Sequence, residues 1–320
     1  MNKLFNNEKH YLTLNNYLKD KYHQKVYKIS LNGNFSCPNR DGKLSYKGCL
    51  FCSDLGSGDF AGDKRKSLIV QFEEVKKQMQ TKWHEGSYIA YFQANTNTYD
   101  TLENLKKRYD EILRYNDLKH ANILILSIAT RPDCLSDEIV DYLASLSKKI
   151  ELWVELGFQT SNELTAFNMN RGYPNDCLVK AIKKLKAISN IKVIVHIING
   201  LPNENESDML NTIKFLNKLP IDGIKIHMLH VIKNAPLGSI YLKEPFKLLS
   251  MEEYVDVVIK QLRLLNENIV IHRITGDADK NELIAPLWTL KKFVVMNEID
   301  KKMRKNNYYQ GDLYVENCWS

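Results

Sequence analysis

The sequence has no apolar run long enough to cross a bilayer. Runs such as NILILSIA at 122–129 fall far short of the ~20 residues that a membrane helix needs. The opening stretch MNKLFNNEKHYL has neither an apolar signal core nor a small-residue cleavage site. Prolines number eight and glycines 14 in 320 residues, and no Pro/Gly/Ser-rich linker or low-complexity segment divides the chain. Cysteines number six, and a chain of this length can bury a large core without disulfide staples. These absences predict a cytoplasmic protein with no membrane partner. There thiols stay reduced, so grouped cysteines read as metal-binding or catalytic.

Short β-rich runs alternate instead with amphipathic stretches. Strands are predicted at 25–33, 88–93, 121–129, 151–159, 192–199 and 223–231, and one more at 268–275. Their near-continuous Val, Ile, Leu and aromatic content suits strands covered on both faces of a parallel sheet. Between them, 101–116 sets Leu102, Leu105, Tyr109, Ile112 and Leu113 on one helical side. Ser250 followed by Glu253 gives a capping-box signature for a helix over 250–265. A closing helix is expected within 286–305. No strand is followed by the glycine pattern of a phosphate-binding turn, which disfavours a doubly wound sheet. The expected fold is therefore α/β, a partial (β/α)6 parallel barrel with a C-terminal strand and helix extension. The expected divisions are a cap at 1–24, the barrel at 25–235 and an extension at 236–320. In such a barrel, function sits at the C-terminal strand ends, where the polar residues of this sequence collect.

The segment CPNRDGKLSYKGCLFC at 37–52 holds Cys37, Cys49 and Cys52. A structural zinc site wants four ligands, and no second Cys-x-x-Cys completes one, although a histidine such as His23 would make a fourth. A [4Fe–4S] cluster on three cysteines leaves one iron open to a small molecule. The excess of 45 Lys and Arg over 38 Asp and Glu gives a net charge of +7, which suits a nucleic-acid partner or reflects a Lys-rich composition.

The cysteine segment resembles the radical S-adenosylmethionine superfamily. Further segments extend the likeness, among them YFQANTNTY, SIATRPDCL, WVELGFQT, NRGY, GIKIHMLHV, IHRITGD and LIAPLWTLKKF. Together they resemble a small bacterial subfamily related to the radical domain of the Elongator-type tRNA-uridine enzymes. The resemblance implies a radical S-adenosylmethionine enzyme with the partial barrel of that superfamily. It implies one [4Fe–4S] cluster on Cys37, Cys49 and Cys52, with S-adenosylmethionine on the open iron. It further implies contacts to the cosubstrate from Phe51, Gln159, Arg171 and His196. Gln93 and Asn95 stand where many relatives carry a Gly-Gly-Glu segment, and alternation turns Glu155 toward the same pocket. His227, His230, Lys233, His272, Arg273 and Asp277 are the expected substrate contacts. Alternation sends His227 and His230 to opposite faces, and it splits His272 from Arg273. No catalytic acid or base is singled out.

The implied partners are tRNA and an electron donor such as flavodoxin or ferredoxin. The implied reaction converts a wobble carboxymethylaminomethyluridine to aminomethyluridine. The alternatives are a radical enzyme acting on a small metabolite or a protein, and, more remotely, a zinc-stabilised RNA-binding module. Cys134, Cys177 and Cys318 are scattered and read as structural.

Overall fold

A computed structural model describes residues 5, 8–81, 86–188 and 190–316; Cys318 lies outside them. Seven strands form one sheet in the order β1 (Val26–Leu31), β2 (Ser87–Phe92), β3 (Ile123–Thr130), β4 (Glu151–Gln159), β5 (Ile191–Asn199), β6 (Gly223–Met228) and β8 (Val270–Arg273). All six pairings are parallel. A short antiparallel pair, β7 (Val231–Ile232) and β9 (Leu283–Ala285), lies apart from this sheet. The first six strands of the sheet and the later one at 270–273 match the sequence reading, and the curled parallel sheet is a partial barrel. The β7–β9 pair was not foreseen, because a two- or three-residue strand leaves no periodic signal. The region after residue 235 supplies β8, so it contributes to the main sheet.

Helix starts follow local chemistry. Ser67, Thr101 and Ser250 each accept a backbone N–H of the following turn through the side chain, and Ser250 and Glu253 form the expected capping box. Such caps satisfy donors that the helix itself cannot pair. The expected closing helix begins later than its pattern did. Leu287–Leu290 is a 3₁₀ turn, and the α-helix runs from Lys292 to Lys305.

The two faces of the sheet bury different things. Outward-facing Phe92, Leu126, Ile128, Val154, Leu156, Val195 and Ile226 pack beneath the helices in the main core. On the inward face a second apolar cluster gathers Ile89, Tyr91, Ile125, Trp153 and Ile194 around Leu18 of the helix Leu14–Tyr22. That helix packs against β1 and β8 and closes the lower end of the barrel. Two residues further along the same strands the inward positions turn polar: Ser127, Glu155, His196 and, on β6, Lys225. Period-two alternation thus makes one strand serve an apolar plug below and a polar cavity above.

A buried amide pair locks the end of β5 to the helices Met251–Leu264 and Glu206–Leu216 that cover it. Asn199 and Gln261 exchange hydrogen bonds of 2.7 and 2.9 Å, and Gln261 Nε2 also donates to the Met209 carbonyl at 3.1 Å. Both side chains are buried. Gln261→Leu should therefore cost about 1–3 kcal/mol, the penalty of an orphaned buried amide. Urea denaturation of this variant and of the N199L/Q261L pair checks the cause, because the pair should recover part of the loss.

Candidate active site

The loop after β1 carries the three thiols, and its own Arg40 and two neighbouring segments fix its shape. Arg40 spans it from within, donating to the carbonyls of Asp54 and Cys52, each at 3.2 Å, and to that of Ser53. Asn39 Nδ2 donates to the Asn170 carbonyl at 2.6 Å and lies 3.4 Å from Cys49 Sγ. Asn170 Nδ2 in return donates to the Gly48 carbonyl at 2.6 Å. Leu50 N–H bonds to Met169, and its carbonyl accepts from Leu237 N–H, at 3.0 and 2.8 Å. The extended loop is thereby pinned to the turn before Arg171 and to the start of the helix Pro236–Lys243.

Cys37, Cys49 and Cys52 all line one cavity of about 560 Å³, together with Phe51, Gln93, Asn95, Glu155, Gln159, Arg171, His196, His227, His230, His272, Arg273 and Asp277. Burial pushes the Cys49 thiol up to about 12 and also raises Cys52. Neither is a ready thiolate by itself, so a bound cation or cluster would have to draw the proton off. Among the described residues, no group of three His, Cys, Asp or Glu converges on a single metal ion. The donor chemistry, three soft sulfurs bordering one cavity, fits an iron–sulfur cluster.

Gln93 Nε2 donates to the Ser57 carbonyl at 2.8 Å. Asn95 has φ +59° and Gln159 has φ +68°, a region that non-glycine residues rarely occupy. Asn95 folds over Gly56, whose own φ is +61°, and a Cβ there would stand 1.8 Å from Asn95 Oδ1. Only glycine lets the two loops meet so closely. The Gln159 Oε1, His230 Nε2 and His272 Nδ1 atoms are buried and find no hydrogen-bond partner among the described residues. All three residues line the cavity, and an orphaned polar atom beside a cavity marks a place for a ligand.

Several expectations need correction. Arg171 is buried, and its guanidinium is already spent. It donates to the carbonyls of Phe158, Thr160 and Tyr173 at 2.8–2.9 Å and to Asn175 at 2.9 Å, and pairs with Glu163 at 3.3 Å. It ties β4 to the segment that follows, and it has little left for a carboxylate ligand. Glu155 faces the cavity as alternation required, but it is fully buried within ion pairs and hydrogen bonds. His227 and His230 both line the cavity, because β6 ends at Met228 and alternation stops there. His272 and Arg273 do likewise, at the end of β8 and beside a register shift opposite Ile224 and Lys225. Lys233 is exposed outside the cavity, with Nζ on the Asn281 carbonyl at 2.6 Å.

The sequence reading missed Lys28 and Lys225. Lys225 Nζ contacts Glu155 Oε2 and lies 3.2 Å from the Tyr91 hydroxyl. Lys28 Nζ is 3.3 Å from Glu155 Oε1. Ser127 Oγ donates to Oε1 at 2.7 Å, and His196 Nε2 meets Oε2 at 2.7 Å. The available signal was a lysine interrupting each apolar run, VYKISL and GIKIHM. Burial pushes Glu155 up, but the Lys225 and Lys28 charges outweigh it and hold the carboxyl well below its usual range. Desolvation, with Lys225 beside it, lowers His196 to about 4, and desolvation lowers His230 to about 4. His227 and His272 are held well below their ordinary value by burial.

The family description "Radical SAM superfamily" matches residues 37–216, and "Radical_SAM C-terminal domain" matches 221–305. The Bacillus subtilis protein YtqA is 44% identical over 309 residues, covering 97% of this chain and 94% of that protein. The Fusobacterium nucleatum tRNA-2-methylthio-N(6)-dimethylallyladenosine synthase is 24% identical over 201 residues, covering 61% of this chain and 42% of that one. The structure of Elp3 from the archaeon Methanocaldococcus infernus superposes with a TM-score of 0.66 at 18% identity, covering 89% of this chain and 64% of that chain. The chain belongs to the radical SAM superfamily and resembles the Elongator type within it. It is an enzyme of that class, whose cofactors are one [4Fe–4S] cluster and S-adenosylmethionine. Among the described residues, no helix is long and apolar enough to cross a membrane.

The four depressed histidines set the direction of the protein's acid response. Each is neutral when folded, while an unfolded histidine takes up a proton near pH 6.5. Between about pH 6.5 and 4 the unfolded state binds more protons, so stability is present above that window and drains as pH falls through it. Each such histidine contributes up to about 1.4 kcal/mol per pH unit. Urea midpoints should fall from pH 7 to pH 5, and His230→Gln should narrow the difference between the two.

Proposed function

We propose that Cys37, Cys49 and Cys52 hold the cluster, and that the enzyme acts on the side chain of a modified uridine at the tRNA wobble position. The single observation that carries the reading is a three-thiol loop at the rim of a barrel cavity with cations in its wall. When bound, the cluster and S-adenosylmethionine supply a 5′-deoxyadenosyl radical able to take a hydrogen atom from carbon.

Phe51, Gln93, Asn95, Gln159 and His196 border the cosubstrate in this reading. The orphaned Gln159 Oε1 and the carbonyl-anchored Gln93 support such contacts. His227, His230, His272, Arg273 and Asp277 face the tRNA nucleotide. Arg273 and Asp277 pair at 3.2 Å near the exposed rim, where Arg273 can reach a phosphate. Uridine chemistry is supported by the Elongator-type resemblance and by the tRNA in the name of the Fusobacterium relative.

The substrate is carboxymethylaminomethyluridine. With the cofactors bound, the hydrogen atom that would be taken is one on its glycine-derived carbon. Loss of one more electron, to a carrier of the flavodoxin or ferredoxin class, and of the nitrogen proton leaves a C=N bond. Water cleaves that bond, releasing a two-carbon oxo-acid and aminomethyluridine.

Two measurements test this. Purified without oxygen and reconstituted, the protein should hold about four irons and show a brown cluster absorbance. Replacing any one of Cys37, Cys49 or Cys52 by Ala should abolish turnover. A colourless protein with one zinc and full activity would sink the cluster assignment. In a strain lacking the gene, nucleoside mass spectrometry of tRNA should find carboxymethylaminomethyluridine accumulating. An unchanged nucleoside profile would remove tRNA as the substrate.

A further inference from the structure

The floor of the cavity carries an imbalance of charge. There Lys28 and Lys225 share the one carboxylate of Glu155. Toward the rim the charges are mixed: Arg273 pairs with Asp277, and Asp279 and Glu282 also line the cavity. The floor group sums to two cations and one anion, hence +1. The surrounding His196, His227 and His272 do not add to this charge, because burial favours their neutral form. An uncompensated charge is costly to bury, and the floor is enclosed. There Lys225 is 6% exposed and Glu155 is 0% exposed. Burial also pulls Lys225 well below its usual range despite the adjoining carboxylate. A second anion in the cavity would relieve that strain.

The two floor lysines are differently placed. Lys225 is committed to Glu155 and the Tyr91 hydroxyl. The Lys28 side chain keeps 25% of its surface accessible, and its Nζ stands 4.4 Å from the Tyr91 ring centroid. An ammonium has three donors, and Glu155 Oε1 takes one of those on Lys28. Lys28 is therefore the member free to meet an incoming anion, with Lys225 behind it.

We propose that Lys28, backed by Lys225, binds the carboxylate of the substrate's side chain inside the barrel and so tells substrate from product by charge. This rests on the wobble-uridine reading. Substrate brings a carboxylate to the lysines. Product has lost that arm and ends in a primary ammonium. Attraction before the reaction becomes repulsion after it, so the same residues select the substrate and release the product. Glu155 fixes both lysines in place and is a positioning residue.

The test uses the reconstituted full-length protein with S-adenosylmethionine and no reductant, so that nothing turns over. Two anticodon stem-loop RNAs serve as probes, identical except that the wobble position carries 5-carboxymethylaminomethyluridine or 5-aminomethyluridine. Wild type should bind the carboxylate-bearing RNA about tenfold more tightly or better, the scale of a charged hydrogen bond. Lys28→Met should shrink that preference to about threefold or less, and Lys28→Arg, which keeps the charge, should retain most of it. A merely misfolded variant weakens both RNAs alike and leaves their ratio intact, so the ratio isolates the charge. Wild-type protein that binds both RNAs equally, or neither, overturns the proposal. So does Lys28→Met protein with its preference unchanged. The nucleoside profile of the deletion strain decides the uridine reading separately, and these outcomes leave that reading standing.

Discussion

The inner face of the sheet depends on one buried carboxylate. Glu155 lies on β4, the middle strand of seven, and its partners come from both sides. Lys28 reaches it from β1, Ser127 from β3, His196 from β5 and Lys225 from β6. Five strands therefore meet at one side chain. Such an arrangement is weak evidence for added stability, since desolvation offsets much of the attraction. Its effect is on geometry. A carboxylate with four donors can be satisfied in few arrangements, so it fixes where the lysines and His196 stand. The apolar plug of Trp153, Ile194 and Leu18 lies beneath it. The cavity opens above.

The rim is organised by a second set of polar contacts, made mostly to backbone. Arg131 pairs with Asp133 at 2.8 and 2.9 Å and donates to the Arg171 carbonyl at 3.0 Å. The Arg171 side chain binds three further carbonyls, and Asn170 and Asn39 carry the same frame to the cysteine loop. The NRGY segment thus acts as the joint between β4 and the thiols. Side chains locked by such supporting bonds hold a site to the tolerance that chemistry requires. The unusual backbone at Asn95 and Gln159 lies beside this frame. Strained conformations persist where the surroundings over-determine them, which is common at functional sites.

The fold was largely legible in the sequence because its strands are long apolar runs and its helices carry caps and one-sided patterns. Ser250 and Glu253 announced their helix by type and spacing alone. The β7–β9 pair was not legible, because pairing between two such short pieces depends on what brings them together. Cys37, Cys49 and Cys52 stood out because sulfur at that spacing has few uses. Arg171 was misread because an arginine in a loop looks the same in sequence whether its donors meet a ligand or the chain's own carbonyls. Lys28 and Lys225 were passed over because a lone lysine in a strand is usually an edge residue facing water.

The sequence by itself determined the class of the protein and the parallel α/β barrel. The barrel rests on local pattern, periodicity and capping residues, and the class rests on the resemblance of whole segments to a known superfamily. Only the tertiary structure decided which polar residues share a cavity and which charges go unmatched. His227 and His230 meet there because β6 ends between them. Lys28 and Lys225, 197 positions apart by subtraction of their numbers, meet at Glu155 because the curled sheet turns β1 and β6 toward the same interior. A charge balance of this kind belongs to a volume of space, and no single stretch of chain contains it.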